Sequence, residues 1–394
     1  MLTGDFIISS EIESIPGYGT ISCMGGSKGI NVTGIYIPGT IKKVQGRTFW
    51  SNFNKLTKVV IGSGVETIDD YAFCRCGNLA KIEIPDSVIK IGNSVFSECY
   101  SLSEIIISDE NANYLSENGV LFDKNKTTII EYPICKNDEK YAVPNTITQI
   151  ESGAFGENRY LQSIEIPDSV TQIASDAFSN CNNLKEIVVA DGNSNYSTSD
   201  GIMFDKNKSQ LIYFPMGKEL MEYAIPDSVI QIADYAFLRC QTLTSIDIPN
   251  SVKKIGKSAF EQCKNLITIN GGDNITSIGE GCFLETKWLN NQPNGIVYIG
   301  KVLYCYIGTI TSDKTNIQVK DGIEGITGSG LNCSGYSLTS VILPKSIKTI
   351  GDFAFGNSYV TINYKGTEDE WKLIEIGDKN LNHIKKVNYN YTGE

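Results

Sequence analysis

The sequence predicts a right-handed, strand-rich solenoid, and three observations indicate that fold class. The phrase IPDSV, which begins at Ile84, returns at Ile166 and Ile225. Apolar residues follow each phrase at fixed offsets, with a period of 23 residues where two copies are adjacent. The chain has 394 residues, which is long for one compact core, whereas stacked repeats escape that limit because each contacts only its neighbours.

The repeat is clearest after four prolines, Pro85, Pro167, Pro226 and Pro249. After the first of them the recurring apolar positions are Val88, Ile91, Phe96, Cys99, Leu102, Ile105 and Ile107. Weaker copies begin at Pro38, Gly62, Pro144 and Pro344, and near Asn274 and Gly322. We therefore expect about ten coils between Pro38 and Tyr364.

Each part of the coil predicts a local structure. The I-x-I before the Pro has the period of a strand, and the Pro ends that strand because it cannot donate to a ladder. The V-x-x-I that follows predicts a second short strand. Two residues later stand Asp70, Asn93, Ser152, Ser175, Asp234, Lys257, Glu280 and Asp352. Most of these are good helix N-caps, so A-F-x-x-C is predicted to form one or two helical turns with its Ala, Phe and Cys facing inward.

Inserts interrupt the period. A longer unit of 82 residues occurs twice, at 85–166 and 167–248, and within it Asn118–Pro133 matches Asp200–Pro215. Each insert predicts a protruding β-hairpin around a DKNK turn, and Gly295–Gly308 predicts two strands around a Gly-Lys turn. The DKNK turns lack the Gly and the closing Glu of a calcium loop. Hairpins on one side of a solenoid often build a binding face.

The predicted organisation has three parts. Residues 1–37 form an N-terminal cap, which includes a flexible turn at 25–29. Residues 38–364 form the solenoid, with hairpin inserts near 108–143, 190–225 and 286–318. Residues 365–394 form a C-terminal cap.

The pattern L-x-x-I-x-I-P-x-S-V-x-x-I-x-x-x-A-F-x-x-C resembles the BspA-like leucine-rich repeat family over about four fifths of the chain. The resemblance implies a leucine-rich-repeat solenoid and brings no catalytic residues with it. It also implies a surface-exposed or secreted protein of a host-associated organism, with adhesion to host matrix proteins and to other cells as the associated role. Similar tails with a Gly-Thr…Glu-Trp element, here Gly366–Trp371, close other members.

Composition excludes several classes of partner. The net charge of −11 argues against nucleic acid, which requires a basic stripe. No segment approaches the ~20 apolar residues of a membrane helix, so no membrane insertion is expected. The start MLTGDFIISSEIES is not a secretory signal as it stands. We expect a protein at the cell surface or secreted after removal of a signal, with the cytoplasm as the alternative.

The residues that could carry chemistry predict no enzyme, cofactor or metal. His383 is the single histidine and is predicted to be a solvated surface residue, so a catalytic triad has no base. Cys74 is predicted to face outward. The inward slot of the repeat holds Cys76, Cys99, Cys181, Cys240, Cys263 and, by the same pattern, Cys333. A metal or redox ladder is the alternative to buried thiols, which a narrow apolar slot favours.

An acidic stripe is predicted on one face of the solenoid. Glu83, Glu165 and Asp247 each stand between the two Ile of a strand, 82 residues apart. Polysaccharide cleavage needs two carboxylates that converge in a pocket, which a flat stripe does not supply. The stripe is predicted to solvate the sheet, or alternatively to contact basic partners.

Polar and aromatic residues on the outer face are the predicted binding residues. They are Lys90, Gln149, Gln172, Gln231 and Lys254 on the V-x-x-I strands, with Tyr71, Tyr235, Arg75 and Arg239 beside the predicted helical turns. Tyr and Arg are enriched in binding hot spots. We therefore expect a monomeric, non-enzymatic binding protein whose partner is a host extracellular protein or glycan. A structural spacer and a polysaccharide-active enzyme are the alternatives.

Overall fold

The computed structural model describes residues 3–9, 11, 14–15, 31–49, 53, 55–312, 315–335 and 337–393. The turn predicted at residues 25–29 lies outside the described residues, as does much of the predicted N-terminal cap. The chain divides into two compact units. The first unit comprises Met1–Lys206 and Pro215–Lys218, and the second comprises Asn207–Phe214 and Glu219–Glu394.

The first unit is built of short strands. They are β1 (Thr3–Ile7), β2 (Asn31–Ile37), β3 (Lys43–Val44), β4 (Lys58–Ile61), β5 (Thr67–Ile68), β6 (Lys81–Ile84), β7 (Lys90–Ile91), β8 (Glu104–Ile107), β9 (Tyr114–Glu117), β10 (Val120–Asp123), β11 (Thr128–Glu131), β12 (Lys140–Ala142), β13 (Gln149–Ile150), β14 (Ser163–Ile166), β15 (Gln172–Ile173), β16 (Glu186–Val189), β17 (Tyr196–Ser199) and β18 (Ile202–Asp205).

The second unit adds short helices to the same scheme. Its strands are β19 (Gln210–Tyr213), β20 (Glu222–Ala224), β21 (Gln231–Ile232), β22 (Ser245–Ile248), β23 (Lys254–Ile255), β24 (Thr268–Gly271), β25 (Ser277–Ile278), β26 (Gly295–Ile299), β27 (Val302–Ile307), β28 (Thr309–Ile310), β29 (Asn316–Gln318), β30 (Gly325–Ile326), β31 (Ser334–Gly335), β32 (Ser340–Leu343), β33 (Thr349–Ile350), β34 (Val360–Tyr364), β35 (Glu375–Ile376) and β36 (Ile384–Asn388). Its helices are α1 (Lys287–Asn290), α2 (Glu368–Trp371) and a 3-10 turn (Asp378–Asn380). Within the described residues, no helix is long and apolar enough to cross a membrane.

Strands of the same kind stack from coil to coil, as predicted. In the first unit the I-x-I strands form the sheet β1-β2-β4-β6-β8, and the V-x-x-I strands form the sheet β3-β5-β7. In β6 the side chains of Ile82 and Ile84 are buried, whereas Lys81 and Glu83 are exposed. The predicted strands and the solenoid fold class are therefore confirmed.

The described residues make about 15 turns, which is more than the about ten that the repeat predicts. Some coils are completed by strands whose sequence departs from the motif. Strands β11, β19 and β27 each pair in parallel with the short strand of the following coil, at β13, β21 and β30. The motif therefore undercounts the coils that contain the inserts.

The A-F-x-x-C segment is a run of tight turns, so the predicted helix is wrong. The N–H of Ala72 donates to the Asp69 carbonyl at 3.2 Å, but the N–H of Tyr71 donates to Asn93 in the next coil at 3.1 Å. This alternation continues along the run and leaves only every second N–H for a local bond. The φ of Tyr71 is 60°, which an α-helix cannot contain. Hydrogen bonds between coils therefore replace those of a helix.

The predicted N-cap residues bond to the neighbouring coil instead. Asp70 Oδ1 accepts the backbone N–H of Asn93 at 2.8 Å, and Asp234 Oδ1 accepts that of Lys257 at 2.7 Å. The partner lies 23 residues further along in both pairs. A short polar side chain at this position therefore joins two layers of the solenoid.

Aromatic rings stack through the core of each unit. In the second unit Phe214, Phe237, Phe260 and Phe283 succeed one another with ring centroids 4.9, 4.7 and 5.2 Å apart. All four side chains are fully buried. The first unit contains a matching stack of Phe49, Phe73 and Phe96.

The cysteines of the repeat are buried beside these rings, as predicted for Cys76, Cys99, Cys181, Cys240 and Cys263. The Cys99 thiol donates to the Phe73 carbonyl at 3.1 Å, and the Cys181 thiol donates to the Phe155 carbonyl at 2.9 Å. Burial raises the pKa of Cys99 well above its usual value and that of Cys181 to about 12. These thiols are therefore held in the unreactive, protonated form.

Two cysteine predictions are wrong. Cys333 is partly exposed, and its thiol donates to the Leu331 carbonyl at 3.2 Å, so it does not occupy the inward slot. Cys74 is 5% exposed rather than outward-facing. A helix would have placed Cys74 on its outer side, but the run of turns packs it between coils near Arg75 and Glu98.

Native thiol labelling should show that the cysteines of the inward slot are protected. We expect maleimide to leave Cys76, Cys99 and Cys181 unmodified in the folded protein, because their thiolates are disfavoured and their sulfur atoms are inaccessible. In denaturant all eleven cysteines should react. The measurement is intact mass followed by peptide mapping. Rapid native labelling of Cys99 would contradict the closed core.

The insert at Asn118–Pro133 contains the predicted hairpin, but it does not protrude. Strand β10 pairs antiparallel with both β9 and β11. Val120, Leu121 and Phe122 are all buried, so both faces of β10 are covered. Because β11 then pairs in parallel with β13, the insert is part of the solenoid wall.

The turns of the first and third inserts form where the sequence predicts them. In the first DKNK turn the Asp123 carboxylate accepts the N–H groups of Thr127 and Thr128 at 2.7 and 2.5 Å. The third insert forms the predicted antiparallel pair, β26 with β27, around Gly300 and Lys301. These turn predictions are confirmed.

The C-terminal segment packs against the last coils. Thr367 and Glu370 form a reciprocal capping box at the start of α2. His383 stacks on Tyr359 with ring centroids 5.3 Å apart. Its Nδ1 is buried and has no hydrogen-bond partner among the described residues. The histidine predicted to be solvated is therefore half-buried, with its ring against Tyr359.

Candidate binding surface

The polar residues predicted on the V-x-x-I strands form pairs rather than one row. Gln149 of β13 lies opposite Gln172 of β15, and Gln231 of β21 lies opposite Lys254 of β23. Lys90 lies on β7, in a different sheet from the first pair. The structure thus brings four of the five residues together two by two.

The predicted Tyr and Arg residues occupy left-handed positions in the runs of turns. Tyr71 and Arg75 have φ values of 60° and 67°, and Tyr235 and Arg239 have values of 60° and 59°. Arg239 Nε donates to Gln262 Oε1 of the next coil at 2.7 Å. The two Tyr-Arg pairs are therefore equivalent positions, one in each unit.

In the first unit these residues belong to a larger exposed surface. It consists of Arg47, Tyr71, Arg75, Glu98, Tyr100, Arg159 and Tyr160, and we name it the Tyr–Arg surface. Its three tyrosines are 38%, 40% and 38% exposed. Such exposure leaves part of each side chain available to a partner.

Contacts between coils hold these side chains in place. The guanidinium carbon of Arg47 lies 5.3 Å from the centroid of the Tyr71 ring. Arg75 Nε lies 2.8 Å from Glu98 Oε1, and this hydrogen bond raises the pKa of Arg75. Each arginine is therefore oriented before any partner arrives.

At the other end of the surface, Tyr100 and Arg159 lie on the two coils that flank the first insert. The guanidinium carbon of Arg159 lies 4.3 Å from the centroid of the Tyr100 ring, a cation–π contact. Glu157 Oε2 accepts the backbone N–H of Glu98 at 2.8 Å. Burial and the nearby charges of Glu157 and Glu98 raise the pKa of Tyr100. These contacts join two coils that are 59 residues apart.

Sequence reasoning identified Tyr71 and Arg75 but missed the rest of this surface. Tyr100 lies between the Cys and the Leu of its coil, where the motif is variable, and Arg159 and Tyr160 lie at the matching place before Leu161. An aromatic residue at these variable positions was the available signal.

The predicted acidic stripe is absent from the described sheets. On the outer face Glu83 lies between Val60 and Ile106 in register. Glu165 likewise lies between Ala142 and Val188. Asp247 lies between Ala224 and Asn270. The three carboxylates are isolated because the neighbouring coils carry uncharged residues at the same position. The prediction of one acidic face is therefore wrong.

Comparisons with known proteins agree with this architecture. A model of the BspA type leucine-rich repeat region matches residues 27–134, 132–217, 213–329 and 315–390. No curated protein matches the chain.

Several solved structures are similar. The pneumococcal vaccine antigen PcpA is 19% identical, with 95% of this chain and 89% of that chain covered at a TM-score of 0.43. A leucine-rich cell surface protein from Faecalibacterium prausnitzii is 23% identical, with 87% and 82% covered at 0.44. A leucine-rich repeat protein from Eubacterium ventriosum is 22% identical, with 72% and 89% covered at 0.44.

The family model covers most of the chain, and the parallel stacking of its coils agrees with the solenoid that the repeat predicts. The chain therefore belongs to the BspA-type leucine-rich repeat family.

Proposed function

We propose that this protein is a non-enzymatic binding module that engages a host extracellular protein or glycan through the Tyr–Arg surface. The exposure of Tyr71, Tyr100 and Tyr160 beside oriented arginines is the observation that carries the proposal. Tyr and Arg supply much of the energy at protein interfaces. Side chains that are already ordered lose less entropy on binding than free ones.

Family membership supports the remaining parts of the proposal. A leucine-rich repeat scaffold is generally non-enzymatic, and the family expectation is a protein at the cell surface or secreted. The glutamine pair Gln149–Gln172 and the pair Gln231–Lys254 are proposed as secondary contacts. The protein acts as a monomer without a cofactor.

Removing two side chains of the surface should weaken binding. We expect the double variant Tyr71→Ala/Arg75→Ala to bind its partner at least about 30-fold more weakly, which corresponds to the loss of one hot spot. The partner would be found by screening the purified protein against extracellular-matrix proteins and a glycan panel, and affinities would be measured by biolayer interferometry.

The second unit offers a matched control. The variant Tyr235→Ala/Arg239→Ala changes equivalent positions and should bind within about twofold of wild type. If this control lost binding and the first variant did not, the site would move to the second unit. No binding by wild type at tens of micromolar would contradict the proposal and favour a spacer. Turnover of a polysaccharide would favour an enzyme.

A further inference from the structure

The coil that contains the first insert, Asn118–Pro133, is short on the side where other coils form the A-F-x-x-C run of turns. After β11 the chain forms no A-F-x-x-C run, and the N–H of Cys135 returns at once to the Leu102 carbonyl at 2.7 Å. Within the described residues, the runs of the two flanking coils therefore lack the backbone–backbone hydrogen bonds that join neighbouring runs elsewhere. Two cavities of about 200 and 150 Å³ lie there and share Ser94, Glu131 and Ser152. We name them together the Glu131 cleft.

The walls of the cleft carry acidic groups without basic ones. Glu131, Glu151, Glu157 and Asp176 contribute carboxylates, and none of the residues that line either cavity is Lys, Arg or His. Serine residues, Asn93, Asn180, Tyr114, glycines and apolar residues complete the walls. The cleft therefore offers hydrogen-bond acceptors and negative charge to whatever enters it.

Three of the four carboxylates already have partners. Asp176 accepts the Ser152 hydroxyl at 2.7 Å, and Glu151 accepts the amide of Gln149 at 3.0 Å. Glu157 accepts a backbone N–H, as described above. The Glu131 side chain has no hydrogen bond or ion pair within the described part of the chain, although it lines both cavities.

Glu131 is half-buried as well as unpaired. The residue keeps some exposed surface, but its carboxyl group lies deep enough that burial, followed by the charge of Glu157, raises its pKa well above the usual value. A carboxylate that no protein group pairs is free to accept hydrogen bonds from a ligand that enters the cleft.

The second copy of the 82-residue duplicated segment, 167–248, shows which side chains fill the corresponding positions there. Tyr213 stands 82 residues after Glu131 and is 7% exposed, so an aromatic ring fills that position. Tyr235 stands at the position of Gly153, where an added Cβ would meet open space. The first copy therefore has Glu131 and Gly153 at two positions where the second copy has a tyrosine ring.

We propose that the Glu131 cleft binds an organic cation, namely an ammonium or guanidinium group. The group donates hydrogen bonds to Glu131 and is attracted by the other three carboxylates. A metal ion is not the ligand, because within the described residues no three His, Cys, Asp or Glu side chains are arranged to hold one. The source is either a basic side chain of a protein or a free polyamine.

Calorimetry with defined probes tests this proposal independently of any partner for the Tyr–Arg surface. The probes are the blocked tripeptide acetyl-Gly-Arg-Gly-amide, its Lys and Gln analogues, and spermidine. We expect the Arg or Lys peptide, or spermidine, to bind, whereas the Gln peptide does not. Preference for the peptides would identify a protein side chain as the source, and preference for spermidine would identify a polyamine.

Three variants make the result specific. Glu131→Gln keeps the shape of the cleft and should weaken binding at least about tenfold, since it removes a charged hydrogen bond. Glu131→Tyr introduces the residue of the second copy and should abolish binding while the protein remains folded by circular dichroism. Glu165→Gln, an exposed change on β14, should have no effect. Equal binding of the Gln peptide, unchanged binding by Glu131→Gln, or no binding of any cation at millimolar concentration would overturn the proposal.

Discussion

Replacing Phe237 by alanine is expected to destabilise the second unit by about 3–5 kcal/mol. The ring is fully buried, with its centroid 4.9 Å from that of Phe214 and 4.7 Å from that of Phe260. Because each ring is supported by the rings of the coils on either side, the cavity that replaces Phe237 cannot close without moving two layers. Close-packed cores relax only partly around such a loss.

Urea unfolding followed by circular dichroism would measure this effect. Repeat arrays can unfold in parts, so amide hydrogen exchange should accompany it and show whether protection is lost first around Phe237. Phe353→Ala is the matched control, because its ring is 47% exposed and its removal should cost less than about 1 kcal/mol. Similar losses for the two variants would contradict a supporting role for the ring stack.

The features that depend on local pattern could be predicted from the sequence. The alternation in I-x-I reports which side of a strand is buried, and this is why Ile82 and Ile84 were placed correctly. The Phe and Cys of the motif were placed correctly for a related reason. Apolar residues at the same offset in every coil can be buried together only by stacking.

The run of turns could not be predicted in the same way. A-F-x-x-C buries the same side chains whether it forms a helix or a series of turns. The choice depends on the neighbouring coil, whose carbonyls accept the N–H groups of Tyr71 and Phe73. Helix caps and the repeat pattern describe one coil, whereas these acceptors belong to the next. The errors at Cys74 and at the predicted caps have this same origin.

The candidate sites were harder to predict from the sequence than the run of turns. The contact between Tyr100 and Arg159 joins two coils across an insert, and it forms only because the coil between them is short on that side. The alignment of the duplicated units shows that Glu131 and Tyr213 differ. It does not show that one faces a cleft and that the other is a buried ring.

The inserts are anchored by tyrosines whose hydroxyls take the place of a backbone acceptor. The Tyr114 hydroxyl accepts the backbone N–H of Ile91 at 2.9 Å, and the Tyr196 hydroxyl accepts that of Ile173 at 3.0 Å. In an ordinary coil a carbonyl of the next short strand would accept this N–H. The side chain thus satisfies a backbone group that the insert would otherwise leave unpaired.

Asn111 also satisfies backbone groups at the first insert, and it pairs with four of them. Asn111→Ala is expected to lower the free energy of unfolding by at least about 3 kcal/mol. The residue is fully buried. Its Nδ2 donates to the carbonyls of Pro85 and Val88, and its Oδ1 accepts the N–H groups of Asn113 and Tyr114, all at 2.9 Å. Alanine would leave four backbone groups without partners where the insert joins the coil before it.

The duplicated unit supplies an internal replicate of this experiment. Asn193 donates to the carbonyls of Pro167 and Val170 at 2.8 and 2.9 Å, so Asn193→Ala should destabilise the protein by a similar amount. Asn113→Ala is the control, since that side chain is exposed and its backbone N–H bond survives the change. Thermal and urea unfolding of the three variants would decide the matter. If Asn111→Ala behaved like Asn113→Ala, the buried amide would not be what holds the insert to the solenoid, and the hairpin contacts of β10 would have to do so alone.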